Sequence, residues 1–194
     1  MNWSDTRRLI KGDLERVVSE GGAKPALVYY ITNASFKFLF WFRLGSFLKG
    51  RKGVWKIVFA LVSIMYKHVE YKTGIQFFLG TKVGKGLFFP HFSGIVVRPD
   101  CIIGENVTIL QGVTIGQKRG PNDGIAIIGD NVVLSAGCKV IGKVTIGKNS
   151  IIGANAVVTS DIPEGSIAVG IPAKVISKKG VDQIKYWNLL YSDE

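Results

Sequence analysis

The 194-residue chain holds only two cysteines and two histidines. Two cysteines cannot build a disulfide framework or a four-cysteine zinc site, and His68 with His91 cannot give three imidazoles to one metal within a chain. Proline is also scarce, 6 residues against 24 glycines, so the glycine is not the mark of a linker or a collagen-like sequence. The longest uncharged apolar stretch, residues 57–66, stops at ten, well short of the about 20 needed for a membrane span. Residues 27–48 are interrupted by Lys37 and Arg43. Behind Met1, the run through Trp3, Ser4, Asp5, Arg7 and Arg8 lacks the apolar segment of a cleavable signal. These absences lead us to expect a cytoplasmic globular protein without a metal. The composition, 47% hydrophobic and 20% charged, agrees with a folded domain.

Acidic residues are outnumbered, 14 against 25 Lys/Arg, for a net charge of +11. The excess is uneven. Residues 1–73 carry 13 basic and 5 acidic side chains, a net +8, whereas residues 74–194 carry 12 and 9, a net +3. A basic N-terminal third favours phosphate, an anionic glycan or a membrane face as partner. No motif of a nucleic-acid binder accompanies it, so nucleic acid is excluded.

The first 73 residues read as helices. Ser4 or Asp5 caps a first helix ending near Glu20 at Gly21 and Gly22. Pro25 opens a second, expected to run unbroken to about Lys49, and a third spans about residues 54–72. Aromatic side chains crowd here among lysines. Either the helices pack on one another and expose only the lysines, or residues 27–66 form a peripheral membrane contact.

After Gly74 the period changes to six. Apolar residues recur at Phe77, Val83 and Phe89, at Val97, Ile103, Ile109 and Ile115, and at Ile128, Leu134, Val140, Ile146, Ile152 and Val158. At 47% apolar content, thirteen such hits arise by chance about once in 20,000 trials. A second small or apolar set follows four residues on, among them Cys101 and Cys138, which makes packing the expected role of both cysteines. A six-residue unit is too short for a helical repeat and fits a short strand plus a corner, repeated around a parallel β-helix. We therefore divide the chain into an α-helical region (1–73), a β-helix (74–176) and a C-terminal tail (177–194). The helices are expected to cover the first coil and the tail the last.

Two interruptions break the repeat. Two residues are inserted between Phe89 and Val97, where His91 lies, and residues 117–127 form a polar loop containing Lys118 and Arg119. Insertions in solenoids become loops, often on the binding face.

The hexads, the F-F-P-H-F-S-G-I-V-V stretch, V-T-I-L-Q-G-V-T-I-G and V-G-I-P-A-K-V-I resemble the serine-acetyltransferase-like branch of the hexapeptide-repeat acyltransferases, over about residues 36–176. The resemblance implies a left-handed β-helix, a trimer or pair of trimers, and acetyl-CoA bound between neighbouring subunits. It implies His91 as general base toward an acceptor hydroxyl, which is a poor nucleophile until its proton is taken. It also implies an acetyl-CoA groove lined by Gly116, Gln117, Ser135, Ala136, Gly153 and Ala154, with Pro172 and Lys174 at the nucleotide end. Simple corner sterics would equally explain the small residues, and a solvated loop would explain Lys118 and Arg119, whose other role is to meet phosphate or an anionic acceptor.

The serine-specific pattern is broken in places. Gln76 stands where an aspartate would orient the base, Pro90 replaces a second aspartate, and Gly124 and Ile125 replace an Arg-His pair. A zwitterion needs fixed charges of both signs, so these losses lead us to expect a sugar or polysaccharide hydroxyl as acceptor, as in capsule and colanic-acid-type O-acetyltransferases. Serine O-acetylation is the alternative, and a non-catalytic glycan-binding scaffold a third reading. Transfer would be direct, with Gln76 as a hydrogen-bond partner for His91. A γ-class carbonic anhydrase needs three histidine ligands and is rejected.

Overall fold

The structure, a computed structural model, describes residues 1–21, 24–118, 120 and 124–188. Four helices come first: α1 (Trp3–Gly21), α2 (Ala26–Thr32), α3 (Ala34–Leu48) and α4 (Trp55–Thr73). The expected second helix is therefore two. Asn33 takes an extended conformation and its side chain accepts from the Phe36 amide, so it closes α2 and caps α3. Gly74, with φ of 65°, ends α4 in the left-handed region that favours glycine.

Among the described residues fourteen short strands follow, of which thirteen build the coil. Along the chain these are β1 (Ile75–Gln76), β2 (Lys82–Val83), β3 (Ile95–Val97), β4 (Ile102–Ile103), β5 (Thr108–Ile109), β6 (Thr114–Gly116) and β7 (Ile127–Ile128). Then come β8 (Val133–Leu134), β9 (Lys139–Ile141), β10 (Thr145–Ile146), β11 (Ile151–Ile152), β12 (Val157–Val158) and β13 (Ile167–Val169). They stack into three parallel walls. The first wall runs β1-β3-β6-β9-β12, the second β2-β4-β7-β10, and the third β5-β8-β11-β13. β14 (Lys174–Ser177) then turns back antiparallel to β13. Three parallel walls visited in rotation make a β-helix.

The hexad residues all point inward. Twelve of the thirteen are buried and Val83 is half-buried. The glycines after them are small for a measurable reason. A Cβ on Gly129 would lie 2.6 Å from the Lys148 amide nitrogen, and one on Gly147 would lie 2.4 Å from that of Glu164. Backbone of the next coil occupies the place a side chain would take. At another corner Asn106, Asn131 and Asn149 adopt positive φ and stack, each donating a side-chain hydrogen bond to the next.

As expected, helices cover the first coil. Phe38 and Phe42 of α3 and Tyr66 of α4 pack against Phe77 and Phe89, and the Tyr66 hydroxyl donates to the Phe77 carbonyl at 2.6 Å. A buried ion pair fixes α1 and α3 to the coil. Arg43 is bidentate on Asp13 at 2.8 and 3.1 Å and also donates to the carbonyls of Val83 and Gly84, while Asp13 accepts from the amides of Gly86 and Leu87. Burial pushes the Asp13 carboxyl up from its usual range, against the pull of Arg43 and the two amides.

The tail's helix α5 (Gly180–Asn188) starts against the last coil, where the Gly180 amide donates to the Gly165 carbonyl at 2.8 Å, and it lies on the outside of the third wall, where Ile184 packs with Val133 and Ile151. Those two residues point outward, and α5 takes them out of water. No helix among the described residues is long and apolar enough to cross a membrane.

Candidate active site

The corner between the third and first walls collects most of the residues singled out in the sequence. In a regular coil three residues make this turn, as Leu110, Gln111 and Gly112 do between inward Ile109 and inward Val113. In the coil below, five residues separate inward Phe89 from inward Ile95, and the surplus carries His91 outward, where it is exposed. The end of that insert is tied to the coil above by the Gly112 amide, which donates to the Ser93 carbonyl at 2.9 Å.

The next coils bring Ser135 and Ala136, then Gly153 and Ala154, to the same corner. The Gly137 amide donates to Gln111 and the Asn155 amide to Ala136, so successive turns are in register. Coils are spaced by about 4.8 Å, which puts Ala136 about two steps and Ala154 about three steps above the histidine insert. Among the described residues no acceptor takes the amide hydrogens of Ala136 or Ala154. Two unpartnered donors beside minimal side chains suit a ligand that carries amide carbonyls. At the top the Gly170 carbonyl accepts from the Val157 amide, and the segment through Pro172 leads exposed Lys174 into β14. One edge thus runs from an imidazole to a lysine.

The remaining candidates do not join them within one chain. Gly116, Gln117 and Lys118 leave the opposite edge of the first wall, where Lys118 lies against Gly142. Lys118 lines a separate hollow with Lys143, Thr145, Thr159 and Asp161. Arg119 falls outside the described residues. Gln76 points outward from the first wall beside Val96, and no hydrogen bond joins it to His91. Gly124 contributes its carbonyl, which accepts from Arg98 at 2.8 Å.

Three features were not read from the sequence. Phe92, next to His91, lines a hollow of about 420 Å³ with Tyr30, Ile31, Trp41, Met65 and His68. His68 is therefore an exposed neighbour of the insert. Lys139, outward on the first wall, donates to the Gly112 carbonyl and to the Thr114 hydroxyl. Outward positions carry no signal in the hexad pattern, which reports only what faces the core. Both cysteines are buried, and burial pushes each thiol up to about 12, which fits packing rather than nucleophilic chemistry.

A three-walled coil of hexads with a histidine on an inserted corner defines a hexapeptide-repeat transferase, and residues 125–160 match the family described as bacterial transferase hexapeptide (six repeats). The chain is 36% identical over 177 residues to the serine acetyltransferase of Staphylococcus xylosus, covering 88% of this chain and 78% of that one. It belongs to the serine acetyltransferase family of acyltransferases. Two solved structures are similar. A Neisseria gonorrhoeae serine acetyltransferase in complex with serine has a TM-score of 0.71 at 26% identity, over 88% of this chain and 69% of that one. A serine acetyltransferase in complex with CoA has a TM-score of 0.73 at 25% identity, over 90% and 71%.

These relatives overturn the expected glycan acceptor and the capsule or colanic-acid branch. That expectation rested on lost charges at Gln76, Pro90, Gly124 and Ile125. In a coil flanked by helices, a charge facing a groove is supplied equally well from another turn, from a helix or from a neighbouring subunit. Loss at four aligned positions therefore excludes no acceptor.

Proposed function

We propose that the protein is a serine O-acetyltransferase that moves the acetyl group of acetyl-CoA to the hydroxyl of L-serine, the step that commits serine to cysteine synthesis. The observation that carries this reading is the 36% identity to a serine acetyltransferase across both the helices and the coil. The serine held by one solved relative and the CoA held by the other, which is the donor after its acetyl group has left, support this choice of acceptor and donor.

In this reading the coil is left-handed and His91 is the general base. Its imidazole takes the serine hydroxyl proton as the oxygen attacks the thioester carbonyl. A carbon–oxygen bond forms, the carbon–sulfur bond then breaks, and the proton passes from the imidazole to the departing CoA sulfur. The amides of Ala136 and Ala154 donate to the carbonyls of the pantetheine arm, beside Ser135 and Gly153, and Lys174 beyond Pro172 meets phosphate at the nucleotide end.

Gly116, Gln117 and Lys118 stand on the other edge of the wall, and Arg119 follows them in sequence. A homotrimer brings that edge of one subunit to the histidine edge of the next, which completes the groove. The test is thiol release from acetyl-CoA with L-serine. Wild-type protein should turn over, and His91→Ala should lose about 10²–10⁴ in kcat while still binding acetyl-CoA. Protein that binds acetyl-CoA but releases no thiol with serine would overturn the assignment.

A further inference from the structure

The outward face of α4 is the least expected surface of the molecule. Its inner face, with Val62, Tyr66 and Val69, packs on the core. The opposite side ought to be polar in a helix lying on a water-soluble domain. Instead Ile57, Leu61 and Ile64 are 66%, 62% and 66% exposed, in a stripe that Val54 begins and Tyr71 ends. The apolar surface continues onto α2 through Leu27 and Ile31, 67% and 61% exposed. Ile31 of α2 and Met65 of α4 line the same hollow, so the two stripes adjoin.

The charge around this surface is of one sign. Residues 24–73 contain nine Lys/Arg and a single acid, Glu70, which is paired with Lys67. Arg43 is turned inward to Asp13. Lys24, Lys49, Lys52, Lys56 and Lys72 are exposed around the apolar stripes.

The spacing of Val54, Ile57, Leu61, Ile64, His68 and Tyr71 also suits a helix seam with a second copy. A two-fold contact of this stripe with itself, however, would set lysines against lysines with no acidic flank to meet them. An anionic lipid surface offers the complementary charge and an acyl boundary for the large side chains. We propose that the joined outer faces of α2 and α4 form an interfacial surface that docks the protein on anionic bilayers. The proposal does not depend on the acceptor being serine.

The test is flotation of the full chain with vesicles of phosphatidylcholine containing about 30 mol% phosphatidylglycerol, compared with phosphatidylcholine alone, at low and high salt. Wild type should float with the anionic vesicles only, less so at high salt. Leu61→Gln/Ile64→Gln should cut the bound fraction about tenfold with acetyl-CoA binding and the cooperative urea transition retained, which report an intact fold. Failure of wild type to float, equal flotation on neutral vesicles, or binding unaltered by the double substitution would overturn the proposal. So would a smaller assembly for the variant in sedimentation, because the stripe would then be a contact between copies.

Discussion

Arg43 and Asp13 show what a single buried pair does in this molecule. The guanidinium ties α3 to α1 and to two carbonyls of the first coil, and it pairs a carboxylate that has no access to water. Arg43→Met leaves the Asp13 carboxyl unpaired and should cost about 3–5 kcal/mol in urea unfolding, whereas Asp13→Leu/Arg43→Met together should recover most of that loss. The two cysteines set an alkaline limit. Above the ordinary thiol value of 9.0 the unfolded chain loses protons that the native thiols keep up to about 12. Raised native values mean stability that is full below pH 9 and falls as pH rises through that window, by about 1.4 kcal/mol per pH unit for each thiol. Urea midpoints between pH 8 and 10 should drop more steeply for wild type than for Cys101→Ala/Cys138→Ala. Equal slopes would show that the thiols do not titrate in this way.

At the scale of the element, the inward hexads were legible because a six-residue repeat leaves one side of each strand no choice but the core. The first helices were legible from glycine and proline punctuation, yet the break at Asn33 was not. Its signal was present, an asparagine ahead of Ala34 and Ser35 that could cap a helix, but it sits inside a continuous apolar stretch. The position of α5 was hidden for another reason. Outward residues of the third wall, Val133 and Ile151, look like ordinary strand residues in sequence, and only the folded wall shows that they need a cover. The His91 insert was visible as a spacing error, whereas Phe92 and His68 beside it meet only after folding. The acceptor was not legible, because a charge missing from one sequence position is supplied in the fold from another turn, a helix or a neighbouring subunit. Corner glycines offer a test of the stacking. Gly147→Ala should cost about 1–3 kcal/mol or more, since its Cβ meets backbone, while Gly116→Ala should cost about 1 kcal/mol or less, since its nearest neighbour is the Ile141 methyl at 3.2 Å. Similar losses at both sites in urea unfolding would contradict the stacking argument.

For the whole molecule, the two edges of the first wall hold complementary halves of the proposed groove. Light scattering should give three times the 21.2 kDa chain mass, and dilution to monomer should abolish turnover even where folding persists. A monomer with full activity would remove the shared groove. The regular stacking of coils has one more consequence. From the histidine insert to the lysine beyond β13, distance is set by how many turns lie between, each adding about 4.8 Å, so under the proposed function the coil would act as a gauge for the length of its acyl donor. Removing one eighteen-residue turn, such as the one that separates Asn131 from Asn149, would shorten the gauge by one graduation without touching either end. Such a protein should favour a truncated thioester over the full-length donor.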